Sequence, residues 1–562
     1  MRKSIATVSV SGTLTEKLAA IAAAGFDGVE LFENDLLTCP LPPEEVRLRA
    51  ADLGLSIELY QPFRDFEAMP SPDLRRAERK FRVMERLGAD TLLVCSNVSP
   101  QAVDDDELAA SQLRLLAERA AEHGIRIAYE ALAWGRHVNE YLHAWRIVRL
   151  ADHPNLGTCL DSFHILSRGS DPIGIEAIPG EKIFFLQLAD APLLAMDVLQ
   201  WSRHYRCFPG QGTFDLAGLV GHVLKAGYEG PLSLEVFNDH FRQADAGRTS
   251  RDGMRSLIAL EQALRGADHP AEPTGFAFAE LAGPVGGVLT ALGFTRTGAH
   301  PDKPVELWEQ GEARLLVDTS AADPSLLAVG LETPDQAAAT EHAASLLSPT
   351  MEAPDGTRHS FPDAAWRDGF APSLPATGDI THIDHVALTQ PWHHFDGATL
   401  FYRTVLGLRP QESLELPDPY GLLRSKAMSS ADGRVRVVLN LAQVGAESMP
   451  LQHVALATGD LLATARRLRA EHPELLLPIP CNYYDDLDAD PSLRELGVLH
   501  DRDEHGEFLH LYTVTVGRVF FEIVQRIGGY RGYGAVNAPV RLAVQHLRWA
   551  NDLAARHQGA SA

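Results

Sequence analysis

Ile127-Ala-Tyr-Glu130, Thr158-Cys-Leu-Asp161, Phe184-Phe-Leu-Gln187 and Leu232-Ser-Leu-Glu235 are four short apolar runs, each ending on a side chain with an oxygen to offer. Apolar runs of this length, bounded by turn residues, read as strands buried on both faces, as in a parallel sheet. Working outward, the first 266 residues repeat the pattern, with strands predicted at 4–10, 28–32, 56–61, 91–96, 126–131, 157–161, 183–188 and 232–236. Between them lie Ala- and Leu-rich amphipathic stretches at 14–24, 44–53, 73–87, 107–123, 138–150, 216–226 and 250–264. Gly25, Gly54, Gly88, Gly124 and Gly227 fall just past helix ends, where a left-handed residue closes the last turn. Eight strands, each followed by a helix or long loop, predict a (β/α)8 barrel over 1–266, with a doubly wound open sheet as the alternative.

Ala267-Asp-His-Pro-Ala-Glu-Pro-Thr274 is a polar, proline-bearing linker. Beyond it, over 275–562, helices thin out and alternating strands take over. Gly287-Val-Leu-Thr-Ala-Leu-Gly-Phe294 and Leu400-Phe-Tyr-Arg-Thr-Val-Leu-Gly-Leu408 are two short helices closing on glycine, followed by strands at 305–308 with 313–318, and at 435–441. Leu327-Ala-Val-Gly-Leu331 and Leu451-Gln-His-Val-Ala-Leu456 open two further units, each a strand leading into a helix. Four βαβββ modules from one chain are therefore expected, an α+β domain built by repetition.

Composition limits what the chain does. Of 562 residues, 45% are hydrophobic and 22% charged, a globular balance too long for one core. Fifty basic against 75 acidic residues give a net charge of −25, which repels nucleic acid in the absence of a basic stripe. No apolar run approaches the ~20 residues of a membrane span, and the start is too polar for a secretory leader. Cys39, Cys95, Cys159, Cys207 and Cys481 are scattered without CxxC pairing, so neither disulfides nor a zinc ribbon are indicated and a cytoplasmic chain is expected.

In a closed barrel, the C-terminal strand ends converge on one mouth. Glu130, Asp161, Gln187 and Glu235 would meet there, and three carboxylates in an apolar mouth lose hydration and repel one another unless a cation intervenes. All-oxygen ligands favour Mg²⁺, Mn²⁺ or Co²⁺. Any one of these residues alone reads equally well as a cap on the following helix.

Gln61-Pro-Phe-Arg-Asp-Phe66, Tyr129-Glu130-Ala-Leu-Ala-Trp-Gly135, Leu160-Asp161-Ser-Phe-His164, Gln187-Leu-Ala-Asp190 and His204-Tyr-Arg-Cys-Phe-Pro-Gly-Gln-Gly212 carry a likeness to known proteins. With them the sequence resembles the xylose-isomerase-like barrels, and more specifically the bacterial 3-dehydroshikimate dehydratases with a 4-hydroxyphenylpyruvate-dioxygenase-like second half. Gln187 stands where the epimerases commonly have histidine. The resemblance implies metal-dependent loss of water from 3-dehydroshikimate to protocatechuate, in quinate and shikimate breakdown. That reaction needs enolate stabilisation and a base. His164 is the expected base, with packing or metal ligation as its alternatives. Arg64 and Arg206 are expected to pair the substrate carboxylate. Glu33 and His204 could also reach the mouth. Gly210-Gln-Gly212 reads as a turn bringing Arg206 over the site rather than as a phosphate cradle.

A second constellation lies in Ile383-Asp-His385-Val-Ala-Leu388, Leu451-Gln-His453-Val-Ala-Leu456 and Phe520-Phe-Glu522-Ile-Val-Gln-Arg526. The spacings are 68 and 69 residues, so equivalent strand positions in a repeat-built region would lie side by side. Two histidines and a carboxylate form the facial triad that leaves open positions on Fe(II). Either histidine alone would read as a core residue. This half resembles the vicinal-oxygen-chelate fold and the 4-hydroxyphenylpyruvate dioxygenases, over about 275–547. Tyr530-Arg-Gly-Tyr-Gly-Ala-Val-Asn537 and the short loop Thr513-Val-Thr-Val-Gly-Arg518 depart from them. A second divalent metal, Fe, Mg or another, is therefore expected without turnover of 4-hydroxyphenylpyruvate.

The lead expectation is a lyase seated in the barrel, acting on a small carboxylate, in a homo-oligomer, with no nucleic-acid or membrane partner. A sugar or inosose isomerase or epimerase on the same metal site, an Fe(II) oxygenase in the second half, and a second half serving only dimerisation or ligand sensing are the alternatives.

Overall fold

The structure, a computed structural model, describes residues 1–266, 272–372, 378–418, 421–441, 451–485, 487 and 490–559. It divides into two compact units, Met1–Asp268 and His269–Ala562. Of the expected linker, residues 267–271 lie outside the described residues, and the Thr274 amide already donates to Glu332 O at 2.8 Å.

In the first unit β1 (Lys3–Ala6), β2 (Gly28–Phe32), β3 (Ser56–Phe63), β4 (Thr91–Cys95), β5 (Arg126–Glu130), β6 (Leu156–Asp161), β7 (Ile183–Leu188) and β8 (Leu232–Leu234) form a closed barrel. All pairs are parallel, and β8 returns to β1 with Ser4 opposite Ser233, which eliminates the open sheet. Leu59, Leu93, Cys95, Ala128, Cys159 and Phe185 pack together in one cluster, separate from the larger one between strands and helices. Several helices start on aspartates that accept backbone N–H groups, as Asp73 does from Arg76 and Asp105 from Leu108.

The strand expected at 4–10 stops at Ala6, and Thr7–Ser9 is a 3-10 turn. Side-chain hydroxyls explain the change. Thr7 Oγ1 accepts from Phe32 N at 3.1 Å and Ser9 Oγ from Val236 N at 2.8 Å, taking amides that a longer β1 would have paired. The helix expected from residue 250 begins at Ala246, capped by Asp245, and that expected from 138 begins at Tyr141. Three short helices at the strand ends, Glu33–Leu37, Ser162–Leu166 and Val198–His204, were not foreseen.

The second unit contains a seven-stranded and an eight-stranded sheet. Its first, third and fourth repeats run βαβββ, opening with strands Gly275–Ala282, Ile380–Gln390 and Gln452–Thr458. The second, from Ser325–Glu332, keeps only the short strands Arg358–Ser360 and Ala371–Pro372 after its helix. At the centre of the larger sheet, Ile380–Gln390 pairs antiparallel with Gln452–Thr458, which pairs parallel with Val519–Gly528. Helix Ala538–Gly559 follows.

Candidate metal centres

Glu130 ends β5, Asp161 ends β6, Gln187 lies one residue inside the end of β7, and Glu235 directly follows β8. All four are buried, as are His164 and Arg206. The two oxygens of Asp161 divide their work. Oδ1 caps helix Ser162–Leu166, accepting from Phe163 N (2.6 Å) and His164 N (3.2 Å), while Oδ2 takes Arg206 Nη1 at 2.7 Å. The cap and the site reading therefore describe the same carboxylate. Arg206 Nη1 also reaches Glu235 Oε2 at 3.0 Å. His164 Nε2 lies 3.7 Å from Glu130 Oε1 and 3.8 Å from Asp161 Oδ2. One ligand atom from each of Glu130, Asp161 and His164 falls within 4.8 Å of the others, a group able to hold a metal ion.

Gln187 is turned into the barrel. Its Nε2 donates to Glu30 Oε2 at 2.6 Å, and its oxygen holds only the Cys159 thiol at 3.3 Å. Glu30, on β2, also accepts from Gln61 Nε2 at 2.9 Å and from the Ser233 hydroxyl. Sequence reading passed over Glu30 because it sits mid-strand in Gly28-Val-Glu-Leu-Phe32, which scans as a buried run.

Four buried carboxylates thus face one buried guanidinium. Burial first, and then the charge of Glu235, hold Glu30 and Glu130 far above the ordinary carboxylate range. Burial lifts Glu235 to about 7 against the pull of Arg206. Burial also presses on Asp161, but Arg206 and His164 outweigh it and keep its carboxyl low. Glu130 Oε1 is buried without a hydrogen-bond partner. A divalent cation fits this deficit of positive charge, and the donor set fits a hard or borderline ion.

Arg206 was expected to receive the substrate carboxylate. The structure instead places its guanidinium among the carboxylates, with Ser202 Oγ (3.0 Å) and the ring of Phe163 (4.6 Å) as further partners. Arg64 keeps a buried Nε without a partner and acts electrostatically on Cys95 and Glu235. Arg203, unforeseen because its helix was, lies 5.3 Å from the Phe237 ring. Burial lowers its pKa, and the charges of Arg64 and Arg206 add to the effect. Arg64 and Arg203 thus add positive charge beside the buried Arg206.

His164 receives two donors, Ala133 N on Nδ1 at 3.1 Å and Arg206 Nη2 on Nε2 at 3.2 Å. Neutral imidazole accepts at one nitrogen only, so these contacts compete for the tautomer. Burial above all pushes the ring down to about 3, with Arg206 and Arg203 opposing Asp161. Glu33 pairs with Lys80 and His204 with Asp239 (2.7 Å), so neither joins the group. The Gly210-Gln-Gly212 turn does not cradle phosphate. Its amides point at Asp190 Oδ2, 3.0 Å from both Gly210 N and Gly212 N, and Oδ1 takes Phe214 N at 2.9 Å. A depression of about 860 Å³ among Arg2, Glu58, Arg126 and Tyr228 lies at the opposite strand ends, away from this chemistry.

In the second unit His385 Nε2, His453 Nε2 and Glu522 Oε2 form a triangle with sides of 3.1, 3.2 and 3.2 Å. Metal–donor bonds of about 2.1 Å at right angles put neighbouring donors about 3 Å apart, so the triangle has the size of one octahedral face. A bulge between Ile383 and His385 turns Asp384 inward, and Asp384 Oδ2 takes His385 Nδ1 at 2.8 Å. Arg526 holds Asp384 with two bonds of 2.7 and 2.8 Å, which outweighs burial and keeps that carboxylate ionised. On the other side, Asn537 Nδ2 donates to His510 Nε2 at 2.9 Å, leaving His510 Nδ1 to donate to Glu522 Oε1 at 2.6 Å. Both ligands are thereby oriented from behind. Sequence alternation could not show Asp384, because a regular strand sends neighbours to opposite faces.

Comparison with known proteins fits this architecture. Residues 18–260 match the xylose isomerase-like TIM barrel family, and 382–492 the glyoxalase/bleomycin resistance protein/dioxygenase superfamily. A solved structure described as a xylose isomerase-like TIM barrel/4-hydroxyphenylpyruvate dioxygenase fusion protein superposes with a TM-score of 0.89 at 42% identity, covering 98% of this chain and 99% of its own. The class is therefore a metal-site barrel joined to a dioxygenase-type domain. Two 3-dehydroshikimate dehydratases are similar over 97% of this chain and 98% of their own length, that of Pseudomonas putida at 44% identity and that of Pseudomonas aeruginosa at 46%. The chain belongs to the 3-dehydroshikimate dehydratase family.

Proposed function

We propose that the barrel unit is a hydro-lyase that removes water from 3-dehydroshikimate to give protocatechuate, 3,4-dihydroxybenzoate, in quinate and shikimate breakdown. The observation that carries the reading is the buried group of Glu130, Asp161 and His164, able to hold a metal ion, in a chain similar end to end to dehydratases of that name. Glu130, Asp161 and Glu235 would hold the cation, Mg²⁺, Mn²⁺ or Co²⁺. Gln187 would join them, since its nitrogen is fixed by Glu30 and its oxygen has only a thiol to lose. When bound, the cation supplies Lewis acidity that stabilises the enolate charge.

His164 takes the proton α to the ketone on Nε2, in the tautomer that accepts from Arg206 at rest. Burial keeps the ring neutral at neutral pH, so that Nε2 carries no proton in this tautomer. Arg206 steadies Asp161 and Glu235, while Arg64 and Arg203 attract the substrate carboxylate. The β-hydroxyl leaves as water with the proton that His164 carries, and enolisation of the remaining ketone completes aromatisation. His385, His453 and Glu522 would hold a second ion, Fe, Mg or another divalent metal. No helix of the described residues is long and apolar enough to cross a membrane, and all five cysteines are free, which supports a cytoplasmic enzyme. The test is incubation with 3-dehydroshikimate and each metal, with and without chelator. Catechol absorbance should rise only with metal and vanish in Glu130→Ala; metal-independent turnover overturns the reading.

A further inference from the structure

The barrel holds two thiols that the dehydration does not use. Cys95 ends β4, Cys159 lies in β6, and each stands opposite Glu130, the last residue of the strand between them. Residues paired in register on neighbouring strands face the same side, so the three side chains form one row inside the barrel. Both cysteines are buried and belong to the inner apolar cluster with Leu59, Leu93 and Ala128. A buried cysteine packs there as a small hydrophobe while keeping a weak S–H donor.

The two donors are used differently. Cys159 donates to Gln187 Oε1 at 3.3 Å, the oxygen that Gln187 would give to a cation. Cys95 donates to Glu130 Oε2, also at 3.3 Å. Glu130 Oε1 lies 3.7 Å from His164 Nε2 and is buried without a hydrogen-bond partner. A cation in the group of Glu130, Asp161 and His164 would therefore displace the first thiol and leave the second in place. A thiol is a weaker donor than an N–H or O–H, so it fixes the carboxylate while drawing little of its charge.

We propose that Cys95 is a positioning residue that holds Glu130 Oε2, so that Glu130 offers the cation a single oxygen and the site prefers small six-coordinate ions to Ca²⁺. Ca²⁺ takes about six to eight oxygens and commonly both oxygens of one carboxylate, whereas Mg²⁺ demands near-ideal octahedral geometry, which a two-oxygen bite distorts. Groups that hydrogen-bond a ligating carboxylate orient it and tune the metal it takes. The inference rests on the reading that the barrel binds a divalent cation, and it is independent of which substrate is dehydrated.

The experiment is titration of the full chain with Co²⁺ against a chromogenic chelator, followed by displacement with Ca²⁺ while the Co²⁺ absorption bands are recorded. The same titration of Glu130→Ala gives the signal of the second unit's metal group, which is subtracted. In Cys95→Ala the preference for Co²⁺ over Ca²⁺ should fall by about tenfold or more, with altered Co²⁺ bands. Cys95→Ser occupies nearly the same space as alanine and keeps a donor, so its preference and bands should stay close to the parent's. A packing role alone would move alanine and serine together. Where Cys95→Ala does not fold, as its melting temperature shows, Cys95→Val fills the space without a donor and takes its place. An unchanged preference in a folded Cys95→Ala or Cys95→Val, or an equal loss in Cys95→Ser, overturns the proposal and leaves the metal reading standing. A parent that binds no more Co²⁺ than Glu130→Ala overturns both.

Discussion

In Glu30→Gln the side chain keeps its size and loses its charge, and one acceptor oxygen becomes an amide donor. Glu30 now accepts from Gln187 Nε2 at 2.6 Å, Gln61 Nε2 at 2.9 Å and the Ser233 hydroxyl. A glutamine has one oxygen to share among three donors, and its own NH₂ must face at least one of them. Gln187 then loses the contact that fixes its nitrogen. The substitution also removes a carboxyl that could ionise beside a bound cation, so both effects act in one direction. Residues that orient a metal ligand typically contribute ten- to a hundredfold in affinity, or about 1.4 to 2.8 kcal/mol. Competitive titration with a chromogenic chelator measures it directly for Mn²⁺ or Co²⁺, and saturating metal should restore most of kcat. Glu30→Gln combined with Gln187→Ala closes a double-mutant cycle, in which a residue acting through Gln187 gives strongly non-additive losses. Parent-like metal affinity in Glu30→Gln, or simple additivity in the cycle, would refute the argument.

Three further outcomes are expected. His164→Asn should lower kcat by about 10² to 10⁴, with metal affinity within a few-fold of the parent and exchange of the substrate α-proton for solvent deuterium lost as well. Glu67 is buried, accepting from Asn97 N at 2.6 Å and Tyr129 OH at 3.0 Å, and burial lifts its carboxyl from 4.5 to about 7. Since the folded state holds this proton more tightly, its stabilisation is full below pH 4.5 and is lost as pH rises through about 7. The loss amounts to about 3 kcal/mol. Urea midpoints of the parent should therefore fall between pH 5 and 8 more steeply than those of Glu67→Gln. Asp384→Ala strands the largely buried Arg526, and removing one partner of such a pair costs about 3 to 5 kcal/mol; calorimetric melting should show the second unit unfolding earlier.

The barrel was legible because each strand is a compact apolar run and several helices end on a glycine. The oxygen-bearing residues at the strand ends were legible for the same reason, since strand ends are countable. What escaped had physical causes. Gly275–Ala282 reads Gly-Phe-Ala-Phe-Ala-Glu-Leu-Ala, too poor in β-branched residues to announce a strand, and its pairing with Ser325–Glu332 supplies what propensity does not. Glu30 and Asp384 are acids inside strands, where period-two reasoning assigns them a face but no partner. Arg206 was placed correctly in the loop after β7. Its partners were not, because a guanidinium attracted by Asp161 and Glu235 settles inward rather than at the rim.

The loop that delivers Arg206 is moored to β7's own exit by Asp190, and the mooring tolerates no side chain at position 212. A Cβ on Gly212 would stand 2.3 Å from Asp190 Oδ1 and 2.4 Å from the Ala191 carbonyl. This makes the pair Asp190 and Gly212 a hallmark by which unassigned barrel genes can be sorted. A sequence that keeps all the acidic ligands but carries alanine or larger at 212 has had to reroute this segment, and its guanidinium no longer arrives where this enzyme's does.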